Sequence, residues 1–171
     1  NAGVCNLSVT NSFVRGKNWI GGLFGLIYAG STTGTVEATV KFENLYLDID
    51  LYSNNVTALT GTISGASLGN IKTKVSNCVC AGNITGMTTG SVVDVGGFFG
   101  QVGRSKWSVG DVTIQTSAFL GTITVASTTV QKTGGFVGEV GLSGSNLHIE
   151  DCISCGTMTL GQKTNCNLQC A

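Results

Sequence analysis

The sequence predicts an all-β chain wound as a right-handed parallel β-helix of about five coils. Three observations lead there. A glycine-rich segment recurs along the chain. A polar residue recurs at a fixed offset from an inward apolar one. Within each unit, apolar and polar residues alternate with the period of a strand.

The glycine-rich segment reads GGLFGLI at residues 21–27, GGFFGQV at 96–102 and GGFVGEV at 134–140. The first gap is about twice the second, so a degenerate copy is expected between the first two. TGTISGA, residues 60–66, stands there.

The polar column follows. Val9 leads to Asn11, Phe42 to Asn44, Val75 to Asn77, Ile114 to Thr116 and Ile149 to Asp151, always skipping one residue. Asn11, Asn44, Asn77, Thr116 and Asp151 are therefore expected to stack as a ladder at one corner, where side-chain amides serve a tight turn. Gly16, Gly82, Gly121 and Gly156 come at one further offset, with Ile49 in the second copy. The unit averages about 35 residues. The coils fall at roughly 1–30, 31–65, 66–101, 102–139 and 140–171.

Inside the unit, Leu45, Leu47, Ile49 and Leu51 alternate with Tyr46, Asp48, Asp50 and Tyr52. Val112, Ile114, Ile123 and Val125 repeat the pattern, as do Leu147 and Ile149. Short parallel strands in a fixed order bury such a face by coiling, with about 4.8 Å between equivalent strands. A β-sandwich also uses short strands and glycine turns, but it requires no repeat.

The glycine-rich segments resemble the GLUG motif, a repeat of bacterial surface and adhesin-like proteins with similar repeats in surface proteins of protists. The likeness covers three clear copies and one weak one, in which Thr60 and Ser64 replace glycines. It implies an extracellular repeat module and implies no catalytic activity.

Composition agrees with a structural chain. Of 171 residues 42% are hydrophobic, enough for a core, and there are 26 Gly and no Pro. Nine basic and nine acidic residues cancel, which argues against a nucleic-acid partner. No apolar run reaches the length of a membrane span. The chain opens at Asn1 without a signal peptide, so it reads as a mature form or an excised fragment.

Seven cysteines and three sequons, at Asn6, Asn55 and Asn83, favour an extracellular or cell-surface location with N-linked glycans. The disulfide candidates are Cys5, Cys78, Cys80, Cys152, Cys155, Cys166 and Cys170, and their odd number leaves one thiol free or bonded to another molecule. Cys152, Cys155, Cys166 and Cys170 approach a zinc spacing, but in an oxidising compartment they would staple the last coil. Cys78 and Cys152 share a column two coils apart, too far for a bond.

Constellations for chemistry are sparse. His148, the single histidine, sits between inward Leu147 and Ile149 and should point outward. Asp48 with Asp50, and Glu150 with Asp111, are carboxylates that could serve a polysaccharide-cleaving or calcium site, or only solubilise a strand. Thr122 with Thr124, Thr157 with Thr159, and Asn83 with Thr85 would form a flat array of the kind that meets ice or glycan, or simply suit exposed strands. No cofactor is expected, since no glycine run has nucleotide-loop spacing. Phe24, Phe99 and Val137 either form an outward contact stripe or are buried by a bend at the glycines.

Both ends should expose open β-edges. Cys5-Asn6-Leu7 and Cys166-Asn167-Leu168 look alike, as in a module cut from an array or a subunit that docks on its own kind. The expected function is that of a structural, non-enzymatic glycoprotein: a self-assembling filament subunit or adhesin-like surface module, partnered by itself or by neighbouring repeats. The alternative is a flat-face binder of glycan or ice, and less so a carbohydrate-active enzyme.

Overall fold

A computed structural model describes residues 2–29, 38–54, 59–86, 92–103, 110–126, 130–141, 145–161 and 166–168. The first coil comprises β1 (Ala2–Gly16), β2 (Trp19–Gly21) and β3 (Phe24–Ala29). The second comprises β4 (Ala38–Ser53), β5 (Leu59–Gly61) and β6 (Ser64–Gly69). The third holds β7 (Ile71–Ser76), β8 (Val79–Cys80), β9 (Ile84–Gly86), β10 (Val92–Gly96) and β11 (Phe99–Val102). The fourth holds β12 (Gly110–Gln115), β13 (Ala118–Phe119), β14 (Ile123–Val125), β15 (Val130–Gly134) and β16 (Val137–Val140). The last holds β17 (Asn146–Glu150), β18 (Ile153–Ser154), β19 (Met158–Leu160) and β20 (Cys166–Leu168).

Equivalent strands pair in parallel, coil upon coil, so the chain is a β-solenoid. An 11-stranded sheet wraps much of the coil, and the second and third sheets have five and four strands. Among the described residues four coils enter all three sheets and the last enters two, slightly short of five full coils. The third and fourth coils each have five strands where the first two have three. Where β4 runs unbroken, the third coil divides the same path into β7, β8 and β9.

The same left-handed turn marks this place in every coil, whether or not the strand is divided there. Asn44, Asn77, Thr116 and Asp151 occupy left-handed backbone, with φ of 56°, 52°, 47° and 52°. Asn and Asp tolerate that region and a β-branched Thr does not. This is the corner at which the first face turns into the second.

The ladder's first member is Asn6, not Asn11. Cys5 pairs with Glu43 and Leu7 with Leu45, so Asn6 lies under Asn44. The Asn44 Nδ2 donates to Asn6 Oδ1 at 3.0 Å. Asn11 (φ 50°) sits instead in a bulge, where the register shifts between Val9 and Ser12. Gly16 likewise pairs with Ser53, and Ser12 is the residue that pairs with Ile49. The bulge at Asn11 carries the same left-handed backbone as the corner at Asn6 that it follows.

The alternating residues fill the interior. Phe42, Leu47, Leu51, Ile84, Ile114, Ile123, Phe98 and Phe99 are fully buried. Tyr46 and Tyr52 face outward. Each glycine of the GG-x-[FV]-G segment has a steric task. A Cβ on the first, Gly96, would stand 2.1 Å from the Phe99 carbonyl oxygen, so this corner closes only on glycine. A Cβ on the second, Gly97, would stand 2.1 Å from the Gly135 carbonyl oxygen and 2.5 Å from Phe119 Cγ. A Cβ on the third, Gly100, would stand 2.5 Å from Thr60 N, where the second sheet lies backbone-close, and 2.5 Å from Gly65 O of the neighbouring coil in its own sheet.

The degenerate copy is present with its register moved by one. Gly61 pairs with Gly21 and Gly96, and Ser64 with Phe24 and Phe99. Thr62, rather than Thr60, therefore replaces a glycine, and Ser64 replaces an aromatic. Phe99 (0% exposed) and Val137 (6%) are core residues, and only Phe24 (39%) emerges, on the first coil. Of the two alternatives, burial holds for Phe99 and Val137, because the corner glycines let consecutive residues both turn inward.

Candidate functional site

The stacked register places three sets of residues that could act. The first is the pair of end coils. Val4, Leu7, Val9 and Val14 point inward on the first coil but stay only partly buried. Leu147, Ile149, Met158 and Leu160 do the same on the last. Phe13, Trp19, Phe24 and Tyr28, all on the first coil, are among the exposed large apolar residues. The two similar tripeptides are not equivalent: Cys5 pairs on the first sheet with Glu43, and Cys166 on the second with Gln131.

The second is the threonine face. Thr85, Thr124 and Thr159 lie in one register column. Thr122 and Thr157 lie beside them and are exposed. Asn83 starts a second polar ladder under Thr122. Its Oδ1 accepts from the Thr122 N–H at 3.0 Å and hydroxyl at 2.6 Å. The Asn83 N–H donates to Asp50 Oδ1 at 2.7 Å. The sequon asparagine Asn83 is exposed, as is Asn6; Asn55 lies outside the described residues.

The third is a square of polar side chains wedged between the second and third sheets. Asp94 and Lys132 are register partners on β10 and β15. Gln101 and Glu139 are register partners on β11 and β16. Gln101 Nε2 donates to Glu139 Oε2 at 2.7 Å, and Lys132 Nζ contacts Glu139 Oε1. Asp94 hydrogen-bonds to Glu139 as well. Asp94 is 1% exposed, and the Glu139 side chain 12%. Burial pushes the Glu139 carboxyl up, but its hydrogen bonds to Asp94, Lys132 and Gln101 and the Lys132 charge prevail and hold it below its ordinary value.

Sequence reasoning missed this square, although a signal existed. The same positions hold apolar Leu59 and Ala66 in the second coil, packed as a small separate core. Both positions turn polar together in the third and fourth coils, which is what a shared niche would produce.

The remaining candidates are placed as follows. Cys5, Cys78, Cys80, Cys152 and Cys155 are free thiols, so the disulfides expected of them are not formed. Cys78 and Cys80 are core residues, and the Cys78 and Cys152 thiols point at carbonyl oxygens of Phe42 and Ile114 at 3.5 and 3.4 Å. The side chains of Cys166 and Cys170 lie outside the described residues. Asp50 is engaged with Asn83, as described. Glu150 accepts from Gln115 Nε2 at 2.8 Å, and Asp111 from Asn146 Nδ2 at 2.9 Å, so the structure does not bring these two carboxylates together. His148 is outward, its side chain 65% exposed.

No family model, curated protein or solved structure matches the chain.

Proposed function

We propose that this chain is a structural module, an extracellular β-solenoid whose open ends stack coil on coil against another copy of itself. The observation behind this reading is the half-buried apolar rows on the two end coils, which continue one another. The column of Ile149 runs back through Ile114, Val75 and Phe42 to Val4. A copy laid on the last coil would set its Val4 over Ile149 and its Leu7 over Cys152. Its Asn6 would come over Asp151, whose carboxylate can accept from Asn6 Nδ2 and prolong the ladder. Burying those rows removes apolar surface from water at about 25 cal/mol per Å², and edge strands are ready templates for pairing. A glycan on Asn6 would stand in this joint. The assembly therefore needs Asn6 unmodified, while Asn83 lies in the third coil, away from both ends.

The test is sedimentation and electron microscopy of the chain over a range of concentrations. Filaments should form and Val4→Lys should abolish them, while Leu120→Lys on the outer flank should not. Monodisperse particles at high concentration would overturn self-stacking and leave neighbouring repeats of a surface protein as the partner of the ends.

A second reading rests on the register columns of Thr85, Thr124, Thr159, Thr122 and Thr157. A flat hydroxyl array of this kind suits a glycan or ice surface. Glycan-array binding or inhibition of ice recrystallisation, lost in Thr124→Lys, would support it, and neither activity would retire it.

A further inference from the structure

The Asp94–Lys132–Glu139 contact holds the parts of an amide-forming reaction. We infer that Lys132 and Glu139 are a modification site, at which the chain forms an intramolecular isopeptide bond between Lys132 Nζ and Glu139 Cδ, assisted by Asp94. This holds whether or not the coils stack end to end.

Three features of the niche favour it. The amine touches the carboxyl it would join, and the two residues sit on facing strands, β15 and β16, held by the glycine-rich corner. Reacting groups fixed in this way gain the effective concentration that free groups lack. The site is largely closed to water: Asp94 is 1% and Gln101 7% exposed, with the Lys132 and Glu139 side chains at 28% and 12%. At rest the hydrogen bonds and the Lys132 charge favour ionised Glu139, so the transfer of a proton from Lys132 is an uphill first step. A second carboxyl, Asp94, is hydrogen-bonded to the first. Two carboxyls so joined hold a proton between them and can relay one.

The step balances without a further reagent. The Lys132 ammonium gives a proton to the carboxyl pair, leaving a neutral amine and a protonated Glu139. The amine lone pair attacks Cδ, the N–C bond forms, and negative charge develops on Oε2. Gln101 Nε2 already donates to that oxygen at 2.7 Å. Asp94 then gives its proton to the departing Oε1 hydroxyl and takes one from the nitrogen. The Cδ–Oε1 bond breaks and water leaves. One amine and one carboxyl become one amide and one water, and nothing is oxidised or reduced.

The product would pin the second sheet to the third across the glycine-rich corner of the fourth coil. In the second coil the apolar Leu59 and Ala66 occupy the same positions and join by packing alone.

The test is the intact mass of the purified, reduced and denatured chain, followed by tryptic mapping. The expected mass is lower than the sequence mass by one water. Trypsin should fail to cut after Lys132 and should leave residues 107–163 as one peptide carrying the deficit, with fragmentation placing the link between Lys132 and Glu139. Lys132→Arg, which keeps the charge, and Asp94→Asn, which keeps the size, should both show the full mass. A full mass for the unsubstituted chain with normal cleavage after Lys132 would overturn the inference and leave a buried ion pair. A water lost at any other pair of residues would overturn it equally.

Discussion

Asn83 and Thr122 are joined twice across neighbouring coils: Asn83 Oδ1 accepts both the backbone N–H and the hydroxyl of Thr122, at 3.0 and 2.6 Å. One side chain here closes a gap in the backbone ladder at a turn. Asn83→Ala leaves the Thr122 N–H without that acceptor and should cost about 1–2 kcal/mol, a hydrogen bond lost beside a backbone donor. Thr122→Val removes only the hydroxyl bond and should cost about half as much. Urea unfolding of the two variants checks this. Equal midpoints for Asn83→Ala and the parent chain would mean that water replaces the amide at no cost.

Thr116 is held at φ 47° in a column otherwise filled by Asn6, Asn44, Asn77 and Asp151. A β-branched residue is strained there, by about 1–3 kcal/mol. The side chain is exposed, so little packing offsets that strain. Thr116→Asn should therefore stabilise the chain by about 1 kcal/mol, and Thr116→Gly should also raise stability. Thermal melting decides it: a lower midpoint for both substitutions would show that the Thr116 side chain holds the corner in some other way.

The same column shows how far the sequence could be read. The period-two apolar rows and the spacing of the glycine segments specified parallel coiling, because both patterns repeat in every coil. The corner residues were found in four coils out of five. In the first, the bulge at Asn11 carries the same left-handed backbone as the true corner at Asn6, so residue type alone pointed to the wrong asparagine. The one-residue slip at Thr62 has a related origin. That position lies against the small Cys80, whereas Gly97 lies against the large Phe119. The Thr62 side chain thus meets a residue of the next coil. The Asp94–Lys132–Glu139 square stayed hidden for the same reason, since it is assembled by register between coils.

At Gly100 the backbone leaves no room for a side chain. A Cβ there would meet Gly65 O and Thr60 N at 2.5 Å, both backbone atoms that cannot swing aside. Gly100→Ala should cost about 3 kcal/mol, the upper range for overpacking. Gly86 is the control. Among the described residues the atoms nearest its added Cβ are those of the Val125 side chain, from 3.4 Å. Gly86→Ala should stay within about 1 kcal/mol of the parent and can gain from a stiffer unfolded chain. Chemical denaturation of both variants checks the contrast, and similar losses at the two sites would argue against close sheet contact at Gly100.

The thiols should separate by reactivity. Burial raises the Cys78 thiol above its ordinary value and raises Cys80 well above it, with Cys78 adding a smaller push on Cys80. The thiolate is the reacting form, so both inaccessibility and the raised values protect these two. Cys5 and Cys155 are exposed. Alkylation of the folded chain near neutral pH, read residue by residue by mass spectrometry, should label Cys5 and Cys155 first. Cys78 and Cys80 should follow only on unfolding, at a rate that rises with denaturant. Raising the pH moderately should leave Cys80 protected, because burial keeps its thiol protonated and enclosed. Labelling of Cys80 in the folded chain as fast as Cys155 would mean that the third coil opens locally, and would remove Cys80 from the core.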